Sequence, residues 1–426
     1  MEYSNTLNFA QSMDRDDPLK KYREQFYFPQ LGGKNAIYLT GNSLGLQPKR
    51  TQDYILDELE DWASFGVEGH FHARKPWLSY HEQFAEPLAS LMGAKPAEVV
   101  AMNQLTVNLH LLLVSFYRPD KARFKILCEG KAFPSDQYAL ESQVRFHGLD
   151  PAKTILELFP RKGEHCIRPE DVLEAIESNK NELALVLIGG VNYYTGQVFD
   201  MKAITAAAQK AGALVGFDLA HAAGNLMLHL HDWNVDFACW CSYKYLNSGP
   251  GGVAGAFVHE RHLGKTDLPR MSGWWGHDKT SRFKMEKGFV PIPTAEAWQI
   301  SNAPVLSMAA HKAALDIFME AGMDRLVKKS ASLTGFLEFI LDDLNQALLS
   351  KEANSLEIIT PRDQSQRGCQ LSILAHGRGR GLFEKLTEGG AITDWREPNV
   401  IRCAPVPLYN SFEDIYQFGV LLKHSL

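Results

Sequence analysis

Between residues 99 and 260, short apolar or β-branched runs alternate with stretches patterned as amphipathic helices, and no other feature restricts the fold as much. The runs occupy 99–102, 124–127, 154–159, 183–188, 213–217, 237–241 and 253–258. Helix patterns lie between them at 168–178, where Pro169 suits a first turn that has no N–H to lose, and at 201–211. Strands linked through helices return parallel, and the helices then cover both faces of the sheet. The expectation is an α/β fold with a mainly parallel central sheet.

The flanks follow a different rhythm. The first ninety residues read as mostly helical, with apolar positions at Tyr54, Ile55, Leu56, Leu59 and Trp62 in the segment 51–65. Beyond a long helical region at 295–347 come strands at 356–359 and 370–374, a helix at 381–388 and an extended stretch at 400–404. The last helix opens at Ser411 with Asp414 three residues on, a capping-box start. This pattern predicts a large α/β domain over 46–305 and a smaller C-terminal α+β domain over 306–426. An N-terminal segment, 1–45, is expected to join the smaller one.

Charge narrows the possible partners. With 44 Lys and Arg against 50 Asp and Glu, the net charge is −6 and no long basic run appears, which argues against nucleic acid or an anionic membrane. Runs such as 183–188 and 109–114 are far too short to span a bilayer, and residues 1–26 carry mixed charges without a signal-peptide core. The six cysteines (Cys128, Cys166, Cys239, Cys241, Cys369, Cys403) are scattered, with no C-x-x-C. They read as buried thiols of a reducing compartment, so the cytoplasm is the expected location. His221, His229 and His231 lack an evident partner ligand, and no metal centre is expected.

Chemistry concentrates in "ALVGFDLAHAAG" and "FACWCSYKYLNSGPGG". The first places Asp218 at the carboxyl end of a buried strand, the edge where α/β sheets collect ligands. A carboxylate there is costly to bury without a cationic partner, and a protonated pyridine nitrogen is one. The second delivers Lys244 at the end of the next buried strand, between Tyr243 and Tyr245, in surroundings that favour Schiff-base chemistry. Taken singly, Asp218 reads as a cap or turn residue and Lys244 as a solvated strand end; at the ends of two core strands they point together to a cofactor. In "AMNQLTVNLHLLL", Thr106 sits where a helix starts, and that helix end could hold a phosphate. The same helix is apolar nearly all round and is expected to be buried. In "KAFPSDQY", Phe133 offers a stacking ring and Asp136 a further carboxylate, although Pro-Ser-Asp also suits an ordinary helix start.

These pieces, in this order, resemble fold-type I pyridoxal-phosphate enzymes. "YLTGNSLGL", "NQLTVNLH", "AFPSDQYA", "GFDLAHAAGN", "DFACWCSYKYLNSGPGG", "GWWGH", "ISNAPVLS" and "RCAPVPLYNSFED" resemble the kynureninase family specifically, from about residue 35 to the end. The resemblance implies hydrolysis of L-kynurenine or 3-hydroxy-L-kynurenine to L-alanine and anthranilate or 3-hydroxyanthranilate, in tryptophan degradation or NAD precursor synthesis. It implies pyridoxal 5'-phosphate held as a Schiff base on Lys244, with Asp218 and nearby His221 at the pyridine nitrogen. Leu105, Thr106 and the Tyr243 hydroxyl would bind the phosphate, and Phe133, Ser135 and Asp136 would form one wall. Tyr243 is also the candidate for moving protons in the hydrolytic step. Arg402 would grip the substrate α-carboxylate, helped by Ser43, and His70 with Asn302 would tune acceptance of the 3-hydroxyl. Trp274 and Asn302 would reach the cofactor from a neighbouring subunit of a homodimer. One departure stands out: Gly189 occupies a place where relatives often carry Ser or Thr.

Three rival readings make different demands. A cysteine desulfurase or an aminotransferase shares the superfamily, and Cys369 lies in the general region of a desulfurase nucleophile, but "GCQLSIL" reads as a strand with a structural thiol. A non-catalytic protein of the same fold predicts loss of Lys244, Asp218 or Arg402, and all three are present. A Rossmann-type nucleotide enzyme would carry G-x-G-x-x-G, which is missing here.

Overall fold

The computed structural model describes residues 2–349 and 355–426. All seven runs become strands of one sheet: β1 (Val99–Ala101), β2 (Lys125–Glu129), β3 (Ile155–Leu158), β4 (Leu183–Gly189), β5 (Leu214–Asp218), β6 (Phe237–Trp240) and β7 (Gly255–Val258). The order across the sheet is β1-β7-β6-β5-β4-β2-β3, and only β7 runs antiparallel to its neighbours. Alternate side chains leave opposite faces of a strand, and the core divides accordingly. Val186, Ile188, Val215 and Phe217 join one apolar cluster, whereas Leu185 and Leu187 join another on the opposite face. Burial on both faces is why these strands read as unbroken apolar runs. The parallel strands share a direction, so Glu129, Gly189 and Asp218, each the last residue of its strand, meet along one edge.

Two segments behave differently from their patterns. The helix Thr51–Phe65 forms as expected, yet Thr51, Glu58 and Asp61 are its buried residues while Leu56, Leu59 and Trp62 are exposed. Specific polar partners turn that face inward: Tyr54 donates to Asp316 (2.6 Å), Glu58 accepts from Trp77 Nε1 (3.0 Å), and Asp61 accepts from the Arg74 N–H (2.7 Å). The helix Leu105–Phe116 is mostly buried, but Val107 in its first turn is 43% exposed, so its apolar character does not extend burial all round. The first ninety residues also contain short strands at Gln30–Leu31, Lys34–Asn35 and Ile37–Tyr38, too brief to show a periodicity.

The C-terminal part builds a four-stranded antiparallel sheet from Leu356–Ile358, Leu371–Ala375, Val400–Cys403 and Asp394–Arg396, in that order. Its core takes Ala10 and Leu39 from the N-terminus, residues of the long helix Met323–Leu349, and residues of the last helix, Phe412–Ser425. Ile37–Tyr38 pairs in parallel with Ala391–Ile392. The chain then turns toward the large sheet, where the Gly45 N–H donates to the Tyr243 carbonyl at 2.8 Å. A β-carbon at Gly45 would lie 2.4 Å from the Lys244 carbonyl oxygen, so this approach requires glycine. Among the described residues, no helix is long and apolar enough to cross a membrane.

The capping box at the last helix is complete. Ser411 Oγ accepts from the Asp414 N–H at 3.0 Å, and Asp414 Oδ2 accepts from the Ser411 N–H at 3.1 Å. Ser411→Ala is expected to lower stability by about 1 kcal/mol, measured as a shift in the denaturant midpoint. An unchanged midpoint would mean that this cap contributes nothing.

Candidate active site

Lys244 emerges just beyond β6 and Asp218 ends the adjacent strand β5, so sheet register brings amine and carboxylate to one edge. Lys244 Nζ lies 3.0 Å from His221 Nε2 and 5.7 Å from the centre of the Phe133 ring. His221 is buried with its Nδ1 unpartnered. Burial, then the nearby Lys244, Arg402 and Arg396 charges, push its imidazole well below the usual range, so it is neutral at pH 7.

Asp218 Oδ1 accepts from the Ala220 N–H at 2.7 Å, and its carboxyl shares a hydrogen bond with that of Asp136. Two buried carboxyls in contact cannot both ionise cheaply. The shared proton belongs to Asp136, which burial and the Asp218 charge drive well above the ordinary carboxylate range. Burial raises Asp218 too, but hydrogen bonds from Asp136 and Ala220 and the Lys244 charge oppose the rise. The Tyr243 phenol is pushed up by burial, the Cys241 thiol and Asp218, so it is a proton donor at neutral pH.

Two helix starts close the far side. Leu105 and Thr106 open the helix Leu105–Phe116; Ser135 and Asp136 lie in the first turn of Pro134–Phe146, whose Phe133 is the N-cap. The Thr106 and Ser135 hydroxyls are 3.1 Å apart. Thr106 is not the cap: Gln104 holds that position, with no side-chain bond, which leaves the Thr106 hydroxyl to face the cavity. Free N–H groups at such helix ends favour an anion.

One cavity collects these groups. Leu105, Thr106, Phe133, Ser135, Asp136, Asp218, His221, Tyr243 and Lys244 all line it, as does Gly189. Sequence reasoning missed Glu129 and Tyr193 in the same wall. Glu129 had a legible signal, an acid closing an apolar strand just as Asp218 does; Tyr193 had none.

Other predicted residues lie outside this cavity in the single chain. Ser43 sits in the turn after Thr40, close to the Gly45–Tyr243 contact. His70 Nδ1 is 2.9 Å from the Val67 carbonyl, and its ring meets Trp77 edge-on. Trp274 and Asn302 are exposed, with Trp274 Nε1 donating to the Arg282 carbonyl at 3.2 Å. Arg402 is 1% exposed on the central strand Val400–Cys403. Its Nε donates to Asp394 Oδ1 (3.1 Å) and its Nη1 to the Tyr193 carbonyl (2.7 Å). Nη2 is 2.8 Å from Asp394 Oδ2, but its N–H groups are poorly aimed at that oxygen and make no hydrogen bond.

The rivals fare as follows. Cys369 is buried, its thiol pushed up to about 12 by burial, and its backbone N–H donates to Asn225. It is a structural thiol away from the cavity. His221, His229 and His231 do not converge: His221 faces Lys244, His229 packs on Trp233, and His231 Nδ1 bonds Glu98 at 2.9 Å.

An amine, a buried carboxylate beside a neutral imidazole, an aromatic face and an anion-binding helix end together suit a planar heteroaromatic carbonyl compound bearing an anionic group. Comparisons with known proteins agree in direction. The family described as Kynureninase C-terminal domain matches residues 326–422, and the one described as Aminotransferase class-V matches residues 37–361. The chain is 59% identical to the kynureninase of Flavobacterium psychrophilum, over 100% of this chain and 99% of that protein. It is 60% identical to that of Flavobacterium johnsoniae over the same shares, and 51% identical to that of Nematostella vectensis over 97% and 93%. Among solved structures it is similar to a cysteine desulfurase from Thermococcus onnurineus NA1, with a TM-score of 0.75 and 16% identity over 97% of each chain. It is also similar to the cysteine desulfurase CsdA of Escherichia coli, with a TM-score of 0.74 and 16% identity over 96% and 98%. At that identity the structural likeness speaks for the fold.

Proposed function

The chain belongs to the kynureninase family, and on that premise we propose that it is a pyridoxal-phosphate enzyme acting on L-kynurenine, 3-hydroxy-L-kynurenine or both. Water and substrate give L-alanine and anthranilate or 3-hydroxyanthranilate. The observation that carries the reading is one cavity holding the Lys244 amine, the Asp218 carboxylate and the anion-binding start of Leu105–Phe116. The cofactor also fits the atoms left over, because His221 Nδ1, Asp136 Oδ1 and Glu129 Oε2 are buried without partners and would need a ligand or water to satisfy them.

When bound, pyridoxal phosphate supplies an electron sink for charge developing at the substrate α-carbon. Lys244 would hold it covalently, and the Lys244 amine would move the α-proton once the substrate amine has taken its place. His221, neutral at 3.0 Å, gives that amine an uncharged partner. Asp218 would keep the pyridine nitrogen protonated, while Asp136, itself protonated, would support Asp218 through their shared hydrogen bond. Leu105, Thr106 and Ser135 would hold the phosphate, and Phe133 would cover one ring face. Tyr243, protonated at neutral pH, would donate to phosphate oxygen and to the carbon freed when the β–γ bond breaks, and a proton from the water that forms the new carboxyl would restore the phenol. Arg402 would receive the α-carboxylate on Nη2, which is ion-paired with Asp394 but makes no hydrogen bond, with Ser43 beside it. We take the assembly to be a cytoplasmic homodimer in which Trp274 and Asn302 of each protomer complete the neighbour's site; His70 and Asn302 then contact the aromatic ring of the substrate.

A direct assay decides. Kynurenine should yield anthranilate fluorescence and 3-hydroxykynurenine its hydroxylated product, whereas cysteine should yield no sulfide. Sulfide release without anthranilate would overturn the proposal.

A further inference from the structure

The cavity contains one buried acid with no part in the scheme above. Glu129 closes β2, is 4% exposed, and lines the same wall as Asp218 and Lys244. Its Oε2 is buried without a hydrogen-bond partner. The Asn192 side chain lies beside this carboxyl, and the charge of Asp218 faces it. Asp136 lies close enough to feel it as well. Burial first, and then Asp218, push the Glu129 carboxyl up to about 8. Three carboxyls in one dry wall cannot all be charged, so Glu129 is an acid with an O–H to give.

Gly189 is its structural complement. The two residues end the neighbouring strands β2 and β4, and a β-carbon on Gly189 would come within 3.2 Å of Glu129 Oε1, tighter than ordinary contact. The absent side chain leaves room for the carboxyl.

Resting on the pyridoxal-phosphate reading, we propose that Glu129 is a positioning residue that donates a hydrogen bond to the phenolic oxygen of the cofactor ring, taking over the contact that a hydroxyl at 189 would make. Elimination supports this partner. The ring nitrogen belongs to Asp218, the carbonyl carbon to Lys244 and the phosphate to the helix start. The phenolic oxygen is the remaining polar atom, and it is an acceptor that carries negative charge, the kind for which a donor matters most.

The test titrates apoprotein with pyridoxal phosphate and reads affinity and the position of the visible absorption band. Glu129→Gln keeps a donor and should bind within about threefold of the unaltered protein, whereas Glu129→Met, of similar length with no donor, should bind roughly tenfold to a hundredfold more weakly, with a shifted band. Adding Gly189→Ser to Glu129→Ala should restore affinity and band position, a rescue that a packing role would not produce. Thermal melting of each apoprotein checks folding. Should Glu129→Met fail to fold, Glu129→Gln decides: weak binding there means that charge, not donation, is at work and overturns the proposal. Unchanged affinity and band in Glu129→Met would overturn it equally. If the unaltered apoprotein fails to bind the cofactor, the underlying reading falls, which separates the two failures.

Discussion

Lys244→Ala is expected to lower kynurenine turnover by about 10³-fold or more, and to remove the visible absorption that survives dialysis of the holoenzyme. The variant loses at once the covalent tether and the amine that moves the α-proton. No neighbour replaces it: His221 is neutral and held low by burial, and Tyr243 keeps its proton. The fold should survive, because the lysine side chain lines a cavity and ends in a contact with His221. Circular dichroism and gel filtration identical to the unaltered protein, with a flat visible spectrum and no anthranilate, are the expected set. Turnover retained at even a tenth of the original rate would remove Lys244 from the chemistry.

Arg402→Lys is expected to raise KM for kynurenine roughly 10- to 100-fold with a smaller change in kcat, the loss of one charge-assisted hydrogen bond of about 1.5–3 kcal/mol. The reason is geometric. Across the antiparallel pair, Asp394 stands opposite Arg402 and occupies Nε, the Tyr193 carbonyl occupies Nη1, and Nη2, 2.8 Å from Asp394 Oδ2, makes no hydrogen bond. A lysine could still pair with Asp394, which keeps that buried carboxylate compensated, but it has no rigid fork to present a second donor. Steady-state kinetics separate the possibilities: an unchanged KM would place the substrate carboxylate elsewhere, and a fall in kcat alone would give Arg402 a different task.

Much of this site could be read from residue order. Asp218 and Lys244 each follow an apolar run of strand length, and the structure puts Asp218 at the end of β5 and Lys244 four residues beyond β6. Phe133, Ser135 and Asp136 were placed by a Pro-led helix start, and Thr106 by the end of β1. Their convergence did not follow from local pattern. It needs the sheet order β1-β7-β6-β5-β4-β2-β3, in which strands far apart in the chain become neighbours.

Other residues were beyond such reading. The outward apolar face of Thr51–Phe65 contradicts its own periodicity, because Asp316, Trp77 and Arg74 supply polar partners that no window of that helix contains. The hold of Asp394 and Tyr193 on Arg402 joins a neighbouring strand of the small sheet to a turn beyond β4 of the large one. The pairing of Glu129 with Gly189 depends on a spacing of a few ångströms between adjacent strands.

Local order along the chain therefore determined the alternating architecture, the place of Asp218 and Lys244 beside the sheet edge, and the helix starts, since strand and helix periodicity and capping act over a few residues. Charge state, orphaned donors and the partnership of carboxyls arose only on folding, because burial and electrostatics act through space between groups that the chain keeps far apart.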